Sequence, residues 1–212
     1  MMSDKKLYKL IGLVSVFITS LLISNIVSSK IFMVWGFSIT VGVLLYPITF
    51  AMTDTISEIW GKKIATRIVW IGFGVNILML FFLWVGRVLP AAPFWQHQES
   101  YVNILGAVPR ITLASLIAYI ISQTHDVWIF HYIREKTDGK HLWLRNNLST
   151  MLSQLIDSVL FITIAFLGTM PTSAIITMII VQYVIKLGLA AMDTPIVYLL
   201  VHLIKEDDIY AG

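Results

Sequence analysis

Residues 48–63 read ITFAMTDTISEIWGKK, and a long apolar run, 64–88, follows directly. The stretch leaves one apolar segment, places Asp54 and Glu58 four residues apart, and ends in two lysines before the next segment. An apolar run of roughly 20 residues is long enough to span a bilayer as a helix. The pattern therefore predicts a turn at a membrane surface between two transmembrane helices, with carboxylates near the membrane interior.

The composition of the whole chain predicts an integral membrane protein with an all-α fold. Of the 212 residues, 58% are hydrophobic and 13% are charged, and the mean hydropathy is +0.83. A soluble domain of this length cannot bury so much apolar surface, so much of it must face lipid. The alternating segments of about ten residues that mark transmembrane barrels do not occur. We expect residues 1–212 to form a single transmembrane domain.

Six apolar segments are long enough to cross the membrane as helices. Lysines and arginines gather before the first segment, between the second and third, between the fourth and fifth, and after the sixth. Because cytoplasmic loops carry an excess of these residues, both termini are expected to be cytoplasmic. The first segment is too long for a signal peptide and is kept as a helix. The predicted helices are 7–28, 37–56, 64–88, 111–131, 148–167 and 173–204.

Two further features concern the outer side and the last helix. The connection 89–109 is the longest predicted outside segment, and it is amphipathic and aromatic. It is expected to lie on the membrane surface or to cap the outer mouth, and a plain connector fits equally well. In the sixth helix, Pro195 lacks the amide that would bond to the carbonyl of Ala191. A break or kink is therefore predicted at residues 193–195.

Polar and charged side chains lie on one face of several predicted helices. Asp54 and Glu58 are four residues apart, and Gln154 and Asp157 are three apart, so each pair shares a helix face. A charge at the centre of a membrane helix costs roughly 2.5–3.5 kcal/mol, so these groups should meet each other, water or a ligand. The alternative is a polar network that only joins helices. Further polar positions are Ser115, Tyr119, Ser122, Gln123 and Asp126 in the fourth helix and Gln182, Lys186 and Asp193 in the sixth.

A five-residue pattern, SQxxD, occurs twice. It comprises residues 122–126 on a helix that runs inward and residues 153–157 on a helix that runs outward. At about 1.5 Å per residue, Gln154 and Lys186 fall roughly 10 Å from the cytoplasmic face, and Asp157 falls near mid-membrane. A repeat on antiparallel helices is typical of transporters with inverted symmetry.

Motifs of the common enzyme classes are missing. The chain has no cysteine, which excludes disulfides, thiolate metal sites and cysteine nucleophiles. GxxxxGK[ST], HExxH and GxSxG are absent, and the five histidines have no metal-ligand spacing. We therefore expect no enzyme activity, no cofactor and no bound metal. The net charge of +3 is explained by orientation in the membrane, and no nucleic-acid partner is expected.

Four segments, in order, resemble the queuosine precursor transporter family, which is also described as a vitamin uptake transporter family. They read GVLLYPITFAMTDTISEIWGKKIA, RITLASLIAYIISQTHDVWIF, HLWLRNNLSTMLSQLIDSVLFITIAF and KLGLAAMDTPIVYLLV. The resemblance implies six transmembrane helices in the bacterial inner membrane and uptake of 7-cyano-7-deazaguanine, 7-aminomethyl-7-deazaguanine or queuine. The family is loosely similar to the substrate-binding membrane subunits of energy-coupling-factor importers, which would allow an ATPase partner.

The polar helix faces offer groups that fit a 7-deazaguanine. This base presents N1–H and an exocyclic amine as donors beside a carbonyl acceptor, and a carboxylate can accept both donors while an amide or ammonium satisfies the carbonyl. Its flat ring suits the aromatic faces of Tyr46, Tyr119 and Phe161. The candidate substrate-binding residues are Asn25, Lys30, Tyr119, Gln123, Asp126, Gln154, Asp157 and Lys186, and the candidate gating or coupling residues are Asp54, Glu58 and Asp193.

Three functional hypotheses remain open from the sequence. The first is a stand-alone transporter driven by a proton gradient or working by facilitated diffusion. The second is a substrate-binding subunit that needs a separate ATPase, and the third is a non-transporting membrane scaffold. The expected partners are a small-molecule 7-deazapurine and the lipid bilayer, and a homo-oligomer is allowed.

Overall fold

The computed structural model describes residues 4–138 and 142–209 and shows a bundle of helices with one short β-hairpin. In chain order the elements are α1 (Asp4–Val27), β1 (Ile31–Val34), β2 (Phe37–Thr40), a 3-10 helix (Val41–Leu45), α2 (Tyr46–Trp60), α3 (Lys62–Val88), α4 (Gln98–Gly106), α5 (Val108–Lys136), α6 (Leu142–Phe166) and α7 (Thr172–Ile209).

Five segments of the described chain are long and apolar enough to cross a membrane as helices. Large apolar side chains of α3 such as Ile77, Phe81 and Phe82 remain more than half exposed, as lipid-facing residues do. The prediction of a multi-pass helical membrane protein is therefore supported. The helix α2, with 15 residues, is not among the five. The five membrane-spanning candidates are Lys5–Val27, Lys62–Val88, Gln98–Ile133, Asn147–Phe166 and Thr172–Leu189.

The second predicted helix, 37–56, was placed wrongly at its start. Residues Phe37–Thr40 form β2, which pairs antiparallel with β1. Trp35 (φ 49°) and Gly36 (φ 82°) make the connecting turn, and Gly36 adopts this left-handed conformation without steric cost. A glycine turn between short runs of β-branched and aromatic residues is typical of a hairpin. The paired residues are Ile31 with Thr40, Phe32 with Ile39, Met33 with Ser38 and Val34 with Phe37.

The chain between the hairpin and α2 packs directly against the end of α1. Ser24 donates a hydrogen bond from Oγ to the carbonyl of Gly42 over 3.1 Å. A Cβ atom on Gly42 would lie 2.6 Å from the carbonyl oxygen of Ser24 and 1.9 Å from Oγ of Ser28, so this approach requires glycine. The contact fixes where α2 begins, and Pro47 occupies its first turn, where a backbone donor is not needed.

Two apolar clusters hold the helices together. One joins α5, α6 and α7 through buried residues that include Ile111, Phe161 and Met178. The other joins α1, α2 and α3 around Phe17 and Ile56. The helices α5 and α6 pack along one another, and α7 contacts both α2 and α6. α7 therefore connects the two clusters.

The predicted outside connection, 89–109, contains a short helix, α4, and α5 begins within it at Val108. Arg110, near the start of α5, donates from Nε to the carbonyl of Ile164 and from Nη2 to the carbonyl of Leu167, each over 2.6 Å. Ile164 lies in the last turn of α6 and Leu167 directly follows the helix, where carbonyl groups lack helical hydrogen-bond partners. The side chain of Arg110 thus ties the start of α5 to the end of α6.

The last helix, α7, continues through Pro195 without ending at the predicted break. A proline inside a helix removes one backbone hydrogen bond, and the surrounding turns can still remain helical. The side chains of residues 190–195 lie outside the described part of the structure, and these include the candidate gating residue Asp193.

Candidate functional site

A cavity of about 530 Å³ is lined by side chains of α1, α2, α3, α5 and α6. Its volume falls within the roughly 300–1,000 Å³ that is typical of small-molecule sites. The structure brings residues from three separate polar helix faces to this one space. The predicted site residues on its wall are Tyr119, Gln123, Gln154, Asp157 and the candidate gating residue Asp54.

An ion pair between α6 and α7 lies at the cavity wall. Lys186 donates from Nζ to Oδ2 of Asp157, and the two side chains are 2% and 15% exposed, respectively. Asp157 borders the cavity, whereas Lys186 lies behind the wall with Nζ 4.5 Å from the centroid of the Tyr46 ring. Burying an isolated charge costs several kcal/mol, and the pairing with Asp157 and the aromatic face offset that cost.

Gln154 precedes Asp157 by three residues on α6, and both side chains border the cavity. Oε1 of Gln154 is buried and makes no hydrogen bond to any residue in the ranges 4–138 and 142–209. A buried polar atom without a partner costs about 1–3 kcal/mol, which a bound donor would recover. Lys186 holds Oδ2 of Asp157, so Oδ1 is the oxygen of this carboxylate that remains for a ligand. Oε1 of Gln154 is a second candidate acceptor, which would meet a ligand after a rotation of its side chain, because the atom is buried in the ligand-free structure.

Aromatic rings line much of the rest of the cavity. Tyr46 stacks on Phe50 with ring centroids 5.9 Å apart, and Phe73 meets Tyr119 edge to face at 5.4 Å. All four rings border the cavity, as does Trp70. A flat aromatic ligand gains about 0.5–1.5 kcal/mol from such a contact beyond its buried area. The sequence reasoning missed Phe50, Phe73 and Trp70, although the i, i+4 spacing of Tyr46 and Phe50 is a signal that could have found Phe50.

Several hydroxyl groups on the cavity wall are engaged within their own helices. They donate to backbone carbonyls three or four residues earlier, at distances of 2.7 to 3.1 Å. Such local bonds are common for serine and threonine in helices, and they satisfy the hydroxyl without a ligand. These side chains therefore shape the wall more than they select the ligand. They belong to Thr49, Thr53, Ser122 and Thr124.

Other candidate substrate contacts lie away from this wall. Asp126 accepts a hydrogen bond at Oδ1 from Oγ of Ser153 over 3.2 Å, which joins α5 to α6. Asn25 is buried and donates from Nδ2 to Oδ1 of Asn76 over 2.7 Å, which joins α1 to α3. Lys30 is exposed just before β1. Asn76 was not singled out from the sequence, and the signal that could have found it is its isolation within an apolar run.

Two more predicted residues stand apart from the cavity. Phe161 belongs to the apolar cluster of α5, α6 and α7, with its ring centroid 6.3 Å from that of Phe166. Glu58 is exposed one turn beyond Asp54 on α2 and does not border the cavity. Of the two carboxylates in the opening sequence stretch, Asp54 is therefore the one placed at the candidate site.

Comparisons with known proteins match the chain over most of its length. A family model described as "Putative vitamin uptake transporter" matches residues 40–200. The chain is 32% identical over 186 residues to the "Probable queuosine precursor transporter" of Bacillus subtilis (strain 168), which covers 87% of this chain and 81% of that protein. It is 32% identical over 131 residues to the "Queuosine precursor transporter" of Escherichia coli (strain K12), covering 62% of this chain and 57% of that protein. No solved structure matches significantly.

The family match includes most of the helices that enclose the cavity, because α2, α3, α5 and α6 all lie within residues 40–200. The relatives are named as transporters, and the apolar helices agree with a membrane setting, so the chain is a membrane transport protein and not an enzyme. The chain belongs to the queuosine precursor transporter family, the vitamin uptake transporters that the matching family model describes.

Proposed function

We propose that the chain imports a 7-deazapurine precursor of queuosine into the cytoplasm. The names of the relatives suggest the substrate class, and the candidates are 7-cyano-7-deazaguanine, 7-aminomethyl-7-deazaguanine and queuine. The observation that carries the proposal is that Asp157 and Gln154, two side chains with acceptor oxygens, border the same aromatic-lined cavity.

The edge of a 7-deazaguanine complements these two acceptors. Its N1–H and its exocyclic amine are adjacent donors, so Asp157 accepts from N1–H and Gln154 accepts from the amine in the proposed complex. A hydrogen bond to a charged group contributes about 1.5–3 kcal/mol. The ring would then lie among the aromatic side chains of the cavity, Phe50, Phe73 and Tyr119. An adenine-type base carries an acceptor at N1, which would face the Asp157 carboxylate unfavourably.

The charges around the cavity suit a neutral ligand better than an anionic vitamin. Lys186 is paired with Asp157 and does not border the cavity. Among the described wall residues, Lys62 carries a positive charge, and the carboxylates of Asp54 and Asp157 stand against it. Because Lys186 neutralises Asp157 and Lys62 balances Asp54, the wall offers no net positive charge to a ligand carboxylate. An uncharged base edge does not need such a charge.

We infer a bacterial inner membrane from the bacterial relatives, and the distribution of lysine and arginine supports an orientation with both termini in the cytoplasm. In this arrangement the 3-10 helix and α2 together extend about 30 Å and complete a sixth crossing. The cavity then reaches from mid-membrane toward the cytoplasmic start of α3 at Lys62. A ligand bound beside Asp157 would leave toward the cytoplasm.

Binding of a matched panel of ligands to the purified protein tests the proposal. Titration calorimetry should show binding of 7-cyano-7-deazaguanine and roughly tenfold or more weaker binding of 7-cyano-7-deazaadenine, which differs at the pyrimidine edge. The anionic vitamin pantothenate should not bind. The 7-substituent should matter less than the pyrimidine edge. Equal affinity for the guanine-type and adenine-type ligands would contradict recognition by Asp157 and Gln154.

A further inference from the structure

We propose that Lys186 is a positioning residue and not a ligand: its buried ammonium pairs with the Asp157 carboxylate and holds Oδ2, which leaves Oδ1 as the acceptor for a ligand in the cavity. The identity of the ligand in this proposal rests on the proposed function, whereas the role of Lys186 rests on contacts within the protein. Specificity for a donor edge would then depend on a residue that the ligand does not touch.

The geometry separates Lys186 from any ligand in the cavity. Its side chain is 2% exposed and does not border the cavity. Its ammonium contacts Asp157 and lies over the face of the Tyr46 ring. Asp157 and Tyr46 both border the cavity, so these two side chains form the wall between Lys186 and a bound base. A ligand would have to displace one of them to reach Nζ.

An unpaired carboxylate would be costly at the position of Asp157. A carboxylate within a membrane helix that has no paired cation pays an insertion cost of roughly 2.5–3.5 kcal/mol and is neutralised by binding a proton. Lys186 is the cation in direct contact with Asp157. The other polar or charged groups that adjoin Asp157 or share the cavity wall with it are Tyr46 and Asp54 on α2, Lys62 on α3, Tyr119 and Gln123 on α5, and Gln154 on its own helix.

Loss of the ammonium would change what Asp157 offers to a base. A protonated carboxyl group carries a hydroxyl donor, which opposes the N1–H of a guanine-type ligand and suits the N1 acceptor of an adenine-type ligand. Lys186→Met should therefore weaken guanine-type binding by roughly tenfold or more and adenine-type binding much less. Lys186→Arg retains the charge and should retain most of the affinity and the selectivity.

Carbodiimide labelling tests the charge of Asp157 without any ligand. Dicyclohexylcarbodiimide reacts with protonated carboxyl groups in apolar surroundings, and peptide mass spectrometry locates the adduct. The wild-type protein and Lys186→Arg should carry little label at Asp157, whereas Lys186→Met should carry several times more. Asp157→Asn is the blank for this peptide. Each variant is also titrated with 7-cyano-7-deazaguanine and 7-cyano-7-deazaadenine.

The outcomes separate the role of Lys186 from the identity of the ligand. Equal, low labelling of wild type and Lys186→Met would overturn the role of Lys186, whichever ligand binds. Increased labelling with undiminished guanine-type affinity would overturn its role in specificity. Increased labelling in a protein whose wild type binds no 7-deazapurine would support the role of Lys186 and refute the proposed ligand.

If Lys186→Met does not fold, two other variants still test the role of Lys186. Lys186→Gln keeps a hydrogen-bond donor to Asp157 but removes the charge, so it should show the same increase in labelling. The double variant K186M/D157N removes both charges together, which is less costly than leaving one buried charge unpaired. It provides a folded reference that binds the guanine-type ligand weakly.

Discussion

Ser153 donates a hydrogen bond from Oγ to Oδ1 of Asp126 over 3.2 Å and thereby joins the two copies of the SQxxD pattern across α5 and α6. The corresponding acid of the second copy, Asp157, is paired with Lys186 at the cavity wall. The two copies thus place the same side chain in different surroundings. We infer that Asp126 stabilises the contact between α5 and α6 and that Asp157 binds the ligand.

Replacing each acid by its amide should separate these two roles. Asp157→Asn puts a donor where an acceptor faced N1–H, and it should weaken binding of 7-cyano-7-deazaguanine by about 1.5–3 kcal/mol, roughly tenfold to over a hundredfold. The matched variant Asp126→Asn should change the affinity by less than roughly threefold. Titration calorimetry and thermal unfolding on the same preparations measure both effects. A folded Asp157→Asn protein with wild-type affinity would remove Asp157 from the site.

Gln154→Leu should lower the affinity for the ligand without lowering the stability of the ligand-free protein. The variant removes a buried oxygen that has no partner among the described residues, so the melting temperature of the ligand-free protein should stay the same or rise. It also removes one ligand acceptor, so affinity should fall by about 1 kcal/mol, or roughly fivefold. Lower stability with unchanged affinity would show instead that Gln154 serves only to join helices.

Gly42 should not tolerate a methyl group. Gly42→Ala would place Cβ 2.6 Å from the carbonyl oxygen of Ser24, so the start of α2 must move away from α1. We expect a loss of about 1–3 kcal/mol in stability, measured as a lower melting temperature. Gly74→Ala in α3 is the matched control, because no atom lies within 4 Å of its added Cβ. Equal melting temperatures for the two variants would contradict the close approach.

The orientation in the membrane can be tested by cysteine labelling in a chain that has no native cysteine. Ser100 in α4 and Asp138 after α5 are both exposed. A cysteine at Ser100 should react with a membrane-impermeant maleimide in intact cells, and one at Asp138 should react only after the cells are opened. Labelling of the Asp138 site in intact cells would refute a cytoplasmic position for this end of α5.

The sequence predicts those parts of the fold in which many residues contribute to the same energy term. Long apolar runs predict the membrane helices, because each residue adds to the insertion energy. The cost of a buried charge predicts that Lys186 needs a partner, and the structure pairs it with Asp157. The hairpin at Trp35 and Gly36 was missed because its short strands merge with apolar runs on either side. Two four-residue strands contribute too few alternating positions to stand out.

The apolar half of the site is harder to predict from the sequence. An aromatic side chain on a membrane helix can face either lipid or a cavity at little cost. The residue type alone therefore does not predict which of the two it faces. Phe73 borders the cavity, whereas Phe81 and Phe82 on the same helix are exposed on the outside of the bundle. Only the packing of α3 against its neighbours distinguishes these phenylalanines.

Uptake by liposomes that contain only the purified protein tests the central claim most directly, namely that the cavity bordered by Asp157 and Gln154 carries a queuosine precursor across the membrane. Radiolabelled 7-cyano-7-deazaguanine should enter wild-type liposomes with saturable kinetics, and folded Asp157→Asn protein should be roughly tenfold or more slower at low concentration. Parallel measurements with and without a proton gradient identify the driving force. Uptake by wild-type liposomes no faster than by empty liposomes would contradict transport by this chain alone.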